Sequence, residues 1–174
     1  MRLIETPTHN IVYISRVSSS AIIKACAQKW HQAELDAITV NLQPGYELEE
    51  FTYKGIVPQT EEPTKPTVAL MREPIDRILS GLAANNTTVE ELIEGLESGE
   101  GWVASHPFFA AQNLEGIDKV FKFPEEIEDF CKEVGLDSLP VVNESQNPKP
   151  ELMPEEREFL ENYYAPDIKF YNSL

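Results

Sequence analysis

Residues 10–23 read Asn10-Ile11-Val12-Tyr13-Ile14-Ser15-Arg16-Val17-Ser18-Ser19-Ser20-Ala21-Ile22-Ile23, and three kinds of local structure succeed one another within them. Asn10 to Ile14 is a short apolar, β-branched run of the kind a buried strand needs. From Ile22 onward the spacing is helical: Ile22, Ile23, Cys26, Trp30 and Ala33 share one face, while Lys24, Gln28, His31 and Gln32 lie on the other. Between them sits a polar loop whose serines are good helix N-caps. The unit is strand, short loop, amphipathic helix. The loop has two readings. It is an ordinary serine-capped helix start, or it is an anion cradle in which backbone N–H groups, serine hydroxyls and the Arg16 charge face the positive end of the helix dipole.

Working outward, Ala37 to Asn41 and Phe51 to Val57 read as further strands, followed by a loop carrying Pro58, Pro63 and Pro66. Thr67-Val68-Ala69-Leu70-Met71 is another buried strand. It runs into Arg72-Glu73-Pro74, and Pro74 is placed to open a helix whose apolar stripe is Ile75, Ile78, Leu79 and Leu82. An acidic helix over 86–99, capped by Thr87 or Thr88, comes next. Val120 to Phe123 reads as a last strand, Glu125 to Val134 as a helix ended by Gly135, and Glu155 to Tyr164 as a final helix. A proline-rich connection over 140–154 precedes that last helix. Strands alternating with helices predict a three-layer α/β fold, its mostly parallel central sheet flanked by helices, in one domain over 1–174. Ligands in such folds bind beyond the carboxyl ends of the strands, where loops 15–20 and 72–74 both lie.

The chain has 174 residues, 41% of them hydrophobic, enough for one core. No apolar run approaches a membrane span, and the start lacks the apolar stretch of a signal peptide, so a soluble, cytoplasmic protein is expected (in a host's cytoplasm if viral). Two cysteines, Cys26 and Cys131, form neither a disulfide framework nor a metal site and suit a reducing compartment as buried thiols. The net charge of −16 argues against nucleic acid or an anionic membrane as partner. Its distribution is uneven: residues 1–77 hold 8 basic and 10 acidic residues, whereas 78–174 hold 6 and 20. A small anion belongs with the first half.

The second loop sharpens the first. Arg72, Pro74 and Ser80 place an arginine at a strand end and a serine eight residues on, inside the following helix. This resembles the sulfotransferase family that uses 3′-phosphoadenosine 5′-phosphosulfate (PAPS), whose 3′-phosphate motif is a strand, Arg-[Asp/Asn]-Pro, and that serine. Arg16-Val17-Ser18-Ser19-Ser20 then resembles the Arg-Ser-Gly-[Ser/Thr]-[Ser/Thr] phosphosulfate loop of its carbohydrate and tyrosyl-protein members, with Ser18 standing where the family has glycine. Phe109 to Leu114 is similar to a segment of the carbohydrate enzymes ending in Gln-Leu, Val120 to Ile127 to their strand and acidic stretch, and Tyr163 to Tyr171 to their closing segment. The Walker pattern of ordinary kinases and ATPases is absent.

The resemblance implies a P-loop nucleotide-hydrolase-like fold of sulfotransferase type, with PAPS as donor and 3′,5′-adenosine bisphosphate (PAP) as product. It implies that Arg16 is catalytic, that Arg16, Val17, Ser18, Ser19, Ser20 and Ala21 hold the 5′-phosphosulfate, and that Arg72 and Ser80 grip the 3′-phosphate. Arg77, three residues before Ser80, either joins them or faces solvent. The acceptor is then a hydroxyl or amine of a small or carbohydrate-like molecule, with no metal required. The general base is open among Glu49, Glu50 and His106. Two alternatives stand beside this reading: a non-catalytic nucleotide-binding or interaction protein on a degenerate version of the fold, and a small-molecule kinase.

Overall fold

The computed structural model describes residues 2–30, 56–58, 65–140 and 147–174. Strands β1 (Arg2–Glu5), β2 (Asn10–Val12), β3 (Ile56–Pro58), β4 (Thr67–Arg72) and β5 (Lys119–Phe123) form one sheet in the order β3-β1-β2-β4-β5. Helices α1 (Ser19–Trp30), α2 (Pro74–Asn85), α3 (Val89–Ser98), α4 (Gly101–Ser105), α5 (Ile127–Val134), α6 (Pro154–Tyr163) and α7 (Ala165–Ser173) accompany it. The expected strand over 37–41 lies outside the described residues, as do Glu49 and Glu50. Of the expected strand over 51–57, only the end is described, as part of β3.

The fold is α/β, with a small parallel three-stranded sheet, β2-β4-β5, flanked by helices. The expectation of a mostly parallel sheet needs one correction, because β1 pairs antiparallel with both β2 and β3. The cause is local. Only four residues join β1 to β2, far fewer than a parallel crossover requires. Thr6 closes that turn: its N–H and its hydroxyl both donate to the His9 carbonyl at 2.9 Å, and its Oγ1 accepts from the His9 N–H at 2.9 Å.

Strand β4 explains why the sheet is covered on both faces. Thr67 to Met71 are all buried, and alternate side chains enter different cores. Val68 and Leu70 join Ile4, Ile11, Ile22, Ile23, Phe121 and Phe130 beneath α1 and α5. Ala69 and Met71 pack with Val12 and Leu114, against which Phe170 and Tyr171 of α7 lie. A third cluster lies among α2, α3, α4, α6 and α7, with Ile78, Leu92, Phe109, Leu160 and Tyr164.

The helix ends follow their local sequence. Pro74 opens α2 behind Glu73, whose carboxylate accepts from the Asp76 N–H at 2.6 Å. Thr88 and Glu91 form a reciprocal capping box at α3, and Gly135 ends α5 in the left-handed region. Because β2 and β4 run parallel in the register Val12 opposite Ala69, the chain leaves both at the same sheet edge. The loops after them therefore meet.

Candidate functional site

The turn after β2 is tight and left-handed twice. The Val17 N–H reaches the Ile14 carbonyl at 3.1 Å, and Arg16 and Ser18 take φ of 67° and 53°. Neither has the freedom of glycine, so the turn stores strain at both residues. Val17 turns inward and is buried in the core below α1, which anchors the loop from beneath. Ser18 accepts the Ile22 N–H on its carbonyl at 2.9 Å, and Ser19, Ser20 and Ala21 make the first turn of α1. Of the loop's side chains, Ser19 and Ala21 are buried, while Arg16, Ser18 and Ser20 are part-exposed. Successive turns of this kind aim backbone N–H groups at one point, next to a helix dipole.

Arg16, Arg72 and Ser80 come from three different elements and converge. The Arg16 guanidinium donates from Nε and Nη2 to Ser80 Oγ at 3.3 and 3.1 Å. Arg72 Nη1 donates to the Arg16 carbonyl at 3.1 Å, so the strand-end arginine braces the loop carrying the other. Each guanidinium also faces an aromatic ring, Arg16 over Phe108 at 5.4 Å and Arg72 over Phe123 at 5.5 Å. Burial, with the neighbouring Arg72 charge second, holds the Arg16 guanidinium below its ordinary pKa. Two like charges are thus kept close at a partly desolvated edge, which favours an anion between them.

One carboxylate answers them. Asp76 lies in the first turn of α2, four residues beyond Arg72, and accepts from Arg72 Nε at 2.6 Å. Its other oxygen accepts from Lys149, which belongs to the connection before α6. Burial alone would raise the Asp76 pKa, but the bonds from Lys149 and Arg72 and their charges outweigh it and hold the carboxyl below its usual range. Nothing in the sequence links Lys149 to them.

Arg77 corrects both expectations held for it. It neither faces solvent nor reaches Ser80: it is fully buried and donates from Nη1 to the Phe108 carbonyl at 2.8 Å and from Nη2 to that of Ala110. Burial pushes its pKa down to about 10. The segment it grips is bolted in place from other sides too. Tyr164 donates its hydroxyl to the Phe109 carbonyl at 2.6 Å, and Asp167 accepts from the Gln112 and Asn113 N–H groups at 2.6 and 3.3 Å. Gln112 in turn pairs with the Arg72 backbone in both directions, accepting its N–H at 3.3 Å and donating to its carbonyl at 2.9 Å. Gly81 lets this segment approach α2, since a Cβ there would meet Phe108 and Phe109 at 3.2 Å. Phe108, lying over Arg16, is therefore fixed by Arg77.

His106 sits beside this platform. Its ring meets Trp102, Phe108 and Phe109 with centroids 5.2, 4.6 and 5.9 Å away, and its Nδ1 accepts from the Phe108 N–H at 3.3 Å. Among the described residues, no group of three or more His, Cys, Asp or Glu is arranged to hold a metal ion. Nor is any described helix long and apolar enough to cross a membrane. Comparison with protein-family models, with curated proteins and with solved structures gives no match.

Proposed function

We propose that this chain is a sulfotransferase, transferring a sulfuryl group from PAPS to a hydroxyl or amine of a small or carbohydrate-like acceptor on a sulfotransferase-type α/β fold. One observation carries the reading. Arg16, Arg72 and Ser80, picked out by spacing in two separate segments, meet within hydrogen-bonding reach at one sheet edge. Two cations and a hydroxyl on three elements fit a ligand bearing two separated phosphoryl groups, as the donor does.

The donor supplies an activated sulfuryl group whose bond to the 5′-phosphate breaks as the acceptor atom bonds to sulfur. The chain's part is positioning and charge stabilisation, as in phosphoryl transfer. Arg16 neutralises negative charge on the departing 5′-phosphate, assisted by the N–H groups and hydroxyls of Ser18, Ser19 and Ser20. Arg72 and Ser80 hold the 3′-phosphate. Phe108, pinned by Arg77, backs the Arg16 guanidinium with its ring. The acceptor proton passes to a base, and His106, beside Phe108, is the candidate among the described residues.

A second reading has an observation of its own. Asp76 already satisfies Arg72, and Ser18 holds a left-handed turn where the resembled loop has glycine. Both suit a nucleotide-binding protein without turnover. Calorimetric titration with PAP, ATP and 5′-AMP tests the two together. PAP binds more tightly than ATP or 5′-AMP, and Arg72→Ala weakens PAP by about 1.5–3 kcal/mol while sparing 5′-AMP. Equal losses for both nucleotides refute the 3′-phosphate role. Tight PAP binding without transfer to any acceptor in a panel selects the non-catalytic reading.

A further inference from the structure

The Arg72–Asp76–Lys149 cluster has a feature that simple ion pairing does not require. Asp76 divides one carboxylate between two cations from distant parts of the chain, with one oxygen on each. The Arg72 side chain is only 15% exposed, whereas those of Asp76 and Lys149 are 38% and 44% exposed. Arg16 and Ser80 adjoin Arg72 on its other side, so a third cation stands beside the two that Asp76 bridges, while the Glu73 carboxylate accepts from the Asp76 N–H at 2.6 Å. A carboxylate spread over two cationic donors presents the same acceptor pattern as two oxygens of a phosphate. Lys149 is held over α2 by its own segment, since Asn147 Nδ2 donates to the Ala83 carbonyl at 3.0 Å.

Asp76 also has somewhere to go. It borders an open cleft of about 490 Å³ between α2, α6 and α7, whose walls include Arg157 and Lys169. A carboxylate turned away from Arg72 enters an open cleft rather than a closed core, beside Lys169, the Arg157–Glu161 pair and Glu73. Displacement therefore breaks a part-buried pair with Arg72 and an exposed one with Lys149, and leaves the carboxylate itself in an open cleft.

We infer that Asp76 is a tethered counter-ion occupying an anion site, and that Lys149 is a cationic ligand of that site, released to the incoming phosphate when Asp76 is displaced. The inference rests on the reading of this edge as a phosphate site. It adds that the site is self-occupied when empty and that its ligand must out-compete a carboxylate. A dianionic phosphate monoester meets that demand better than a monoanionic diester, because it offers each cation a full charge.

The test uses the full chain with inorganic phosphate, adenosine 3′-monophosphate and PAP as probes, read by calorimetry. Asp76→Asn keeps the shape and removes the competing charge, and it tightens all three at least about fivefold. Lys149→Met, at an exposed position that does not threaten folding, weakens all three about tenfold, the worth of one charge-assisted bond. Unchanged or weaker binding in Asp76→Asn, in protein that melts cooperatively, overturns the counter-ion. Unchanged binding in Lys149→Met overturns the lysine. If PAP binds wild type well and Asp76→Asn no better, this inference fails and the nucleotide reading survives. If Asp76→Asn gains phosphate affinity but neither protein prefers PAP to inorganic phosphate, the nucleotide reading fails and the counter-ion stands.

Discussion

Replacing Arg77 by methionine tests whether the platform beneath Arg16 is held as described. The side chain is fully buried, and two carbonyls, those of Phe108 and Ala110, depend on it. Stripped of the guanidinium, each is left without that donor, at about 1–3 kcal/mol apiece. Against this stands a refund. Arg77 Nε is buried without a hydrogen-bond partner, a standing cost of about the same size that methionine removes. Methionine also fills most of the volume, so no large cavity opens. The balance is a loss of about 1–3 kcal/mol, and for a chain of this length each kcal/mol lowers Tm by about 2–4 °C. Arg77→Lys keeps a cation but not the two-pronged fork, and falls between wild type and Arg77→Met. Urea denaturation followed by circular dichroism measures the loss, and Trp102 fluorescence follows the segment itself, since that indole packs edge-on against Phe109. A change below about 0.5 kcal/mol for Arg77→Met, typical of an ordinary surface substitution, would refute the reasoning.

Three further outcomes are expected. If Arg16 stabilises charge that develops during transfer, Arg16→Ala lowers kcat more than it weakens donor binding, and Arg16→Lys recovers part of the loss; normal turnover by Arg16→Ala removes the catalytic assignment. Ser18→Gly relieves a left-handed backbone and stabilises by up to about 1 kcal/mol, whereas Ser18→Val destabilises by at least that much, both read by urea denaturation. Burial, with Cys131 as a second cause, pushes the Cys26 thiol up to about 12, so at pH 8 roughly one molecule in 10⁴ carries the thiolate; neither cysteine reacts with a disulfide reagent until the protein unfolds, and rapid native labelling would contradict the buried placement of both.

What was legible in the sequence was whatever depends on short spacing. The strand, loop and helix over 10–30, the arginine ending a buried strand at 72, Pro74 at a helix start and Gly135 at a helix end all follow from local rules and stand in the structure. The parallel pairing of β2 with β4 followed from the alternation of strands and helices. The antiparallel edge did not. β1 has only the two apolar residues Leu3 and Ile4, side by side between Arg2 and Glu5, so it shows neither an apolar run nor an alternation. Arg77 was misjudged because arginine is rarely fully buried. Its burial is set by the backbone of Phe108 and Ala110, more than thirty residues away in sequence. Lys149 was invisible for the same reason, its partner lying 73 residues back.

The net charge of −16 and the cationic edge belong together through distance. At physiological ionic strength, exposed charges more than about 8 Å apart scarcely feel one another, so the acidic second half sets the approach of an anion but not its binding. Inside the site the separations are those of hydrogen bonds. There Arg72 and Lys149 share the Asp76 carboxylate, with Arg16 beside Arg72, and local attraction exceeds anything the distant surface exerts. Without Asp76, the edge would hold three cations side by side, with burial and mutual repulsion already depressing the pKa of Arg16. With it, Arg72 and Lys149 share a countercharge, and the net charge of these four groups falls from three to two while the site is empty. A carboxylate four residues beyond Arg72 thus answers part of a physical problem that the site itself creates: cations gathered for an anion need an anion while they wait.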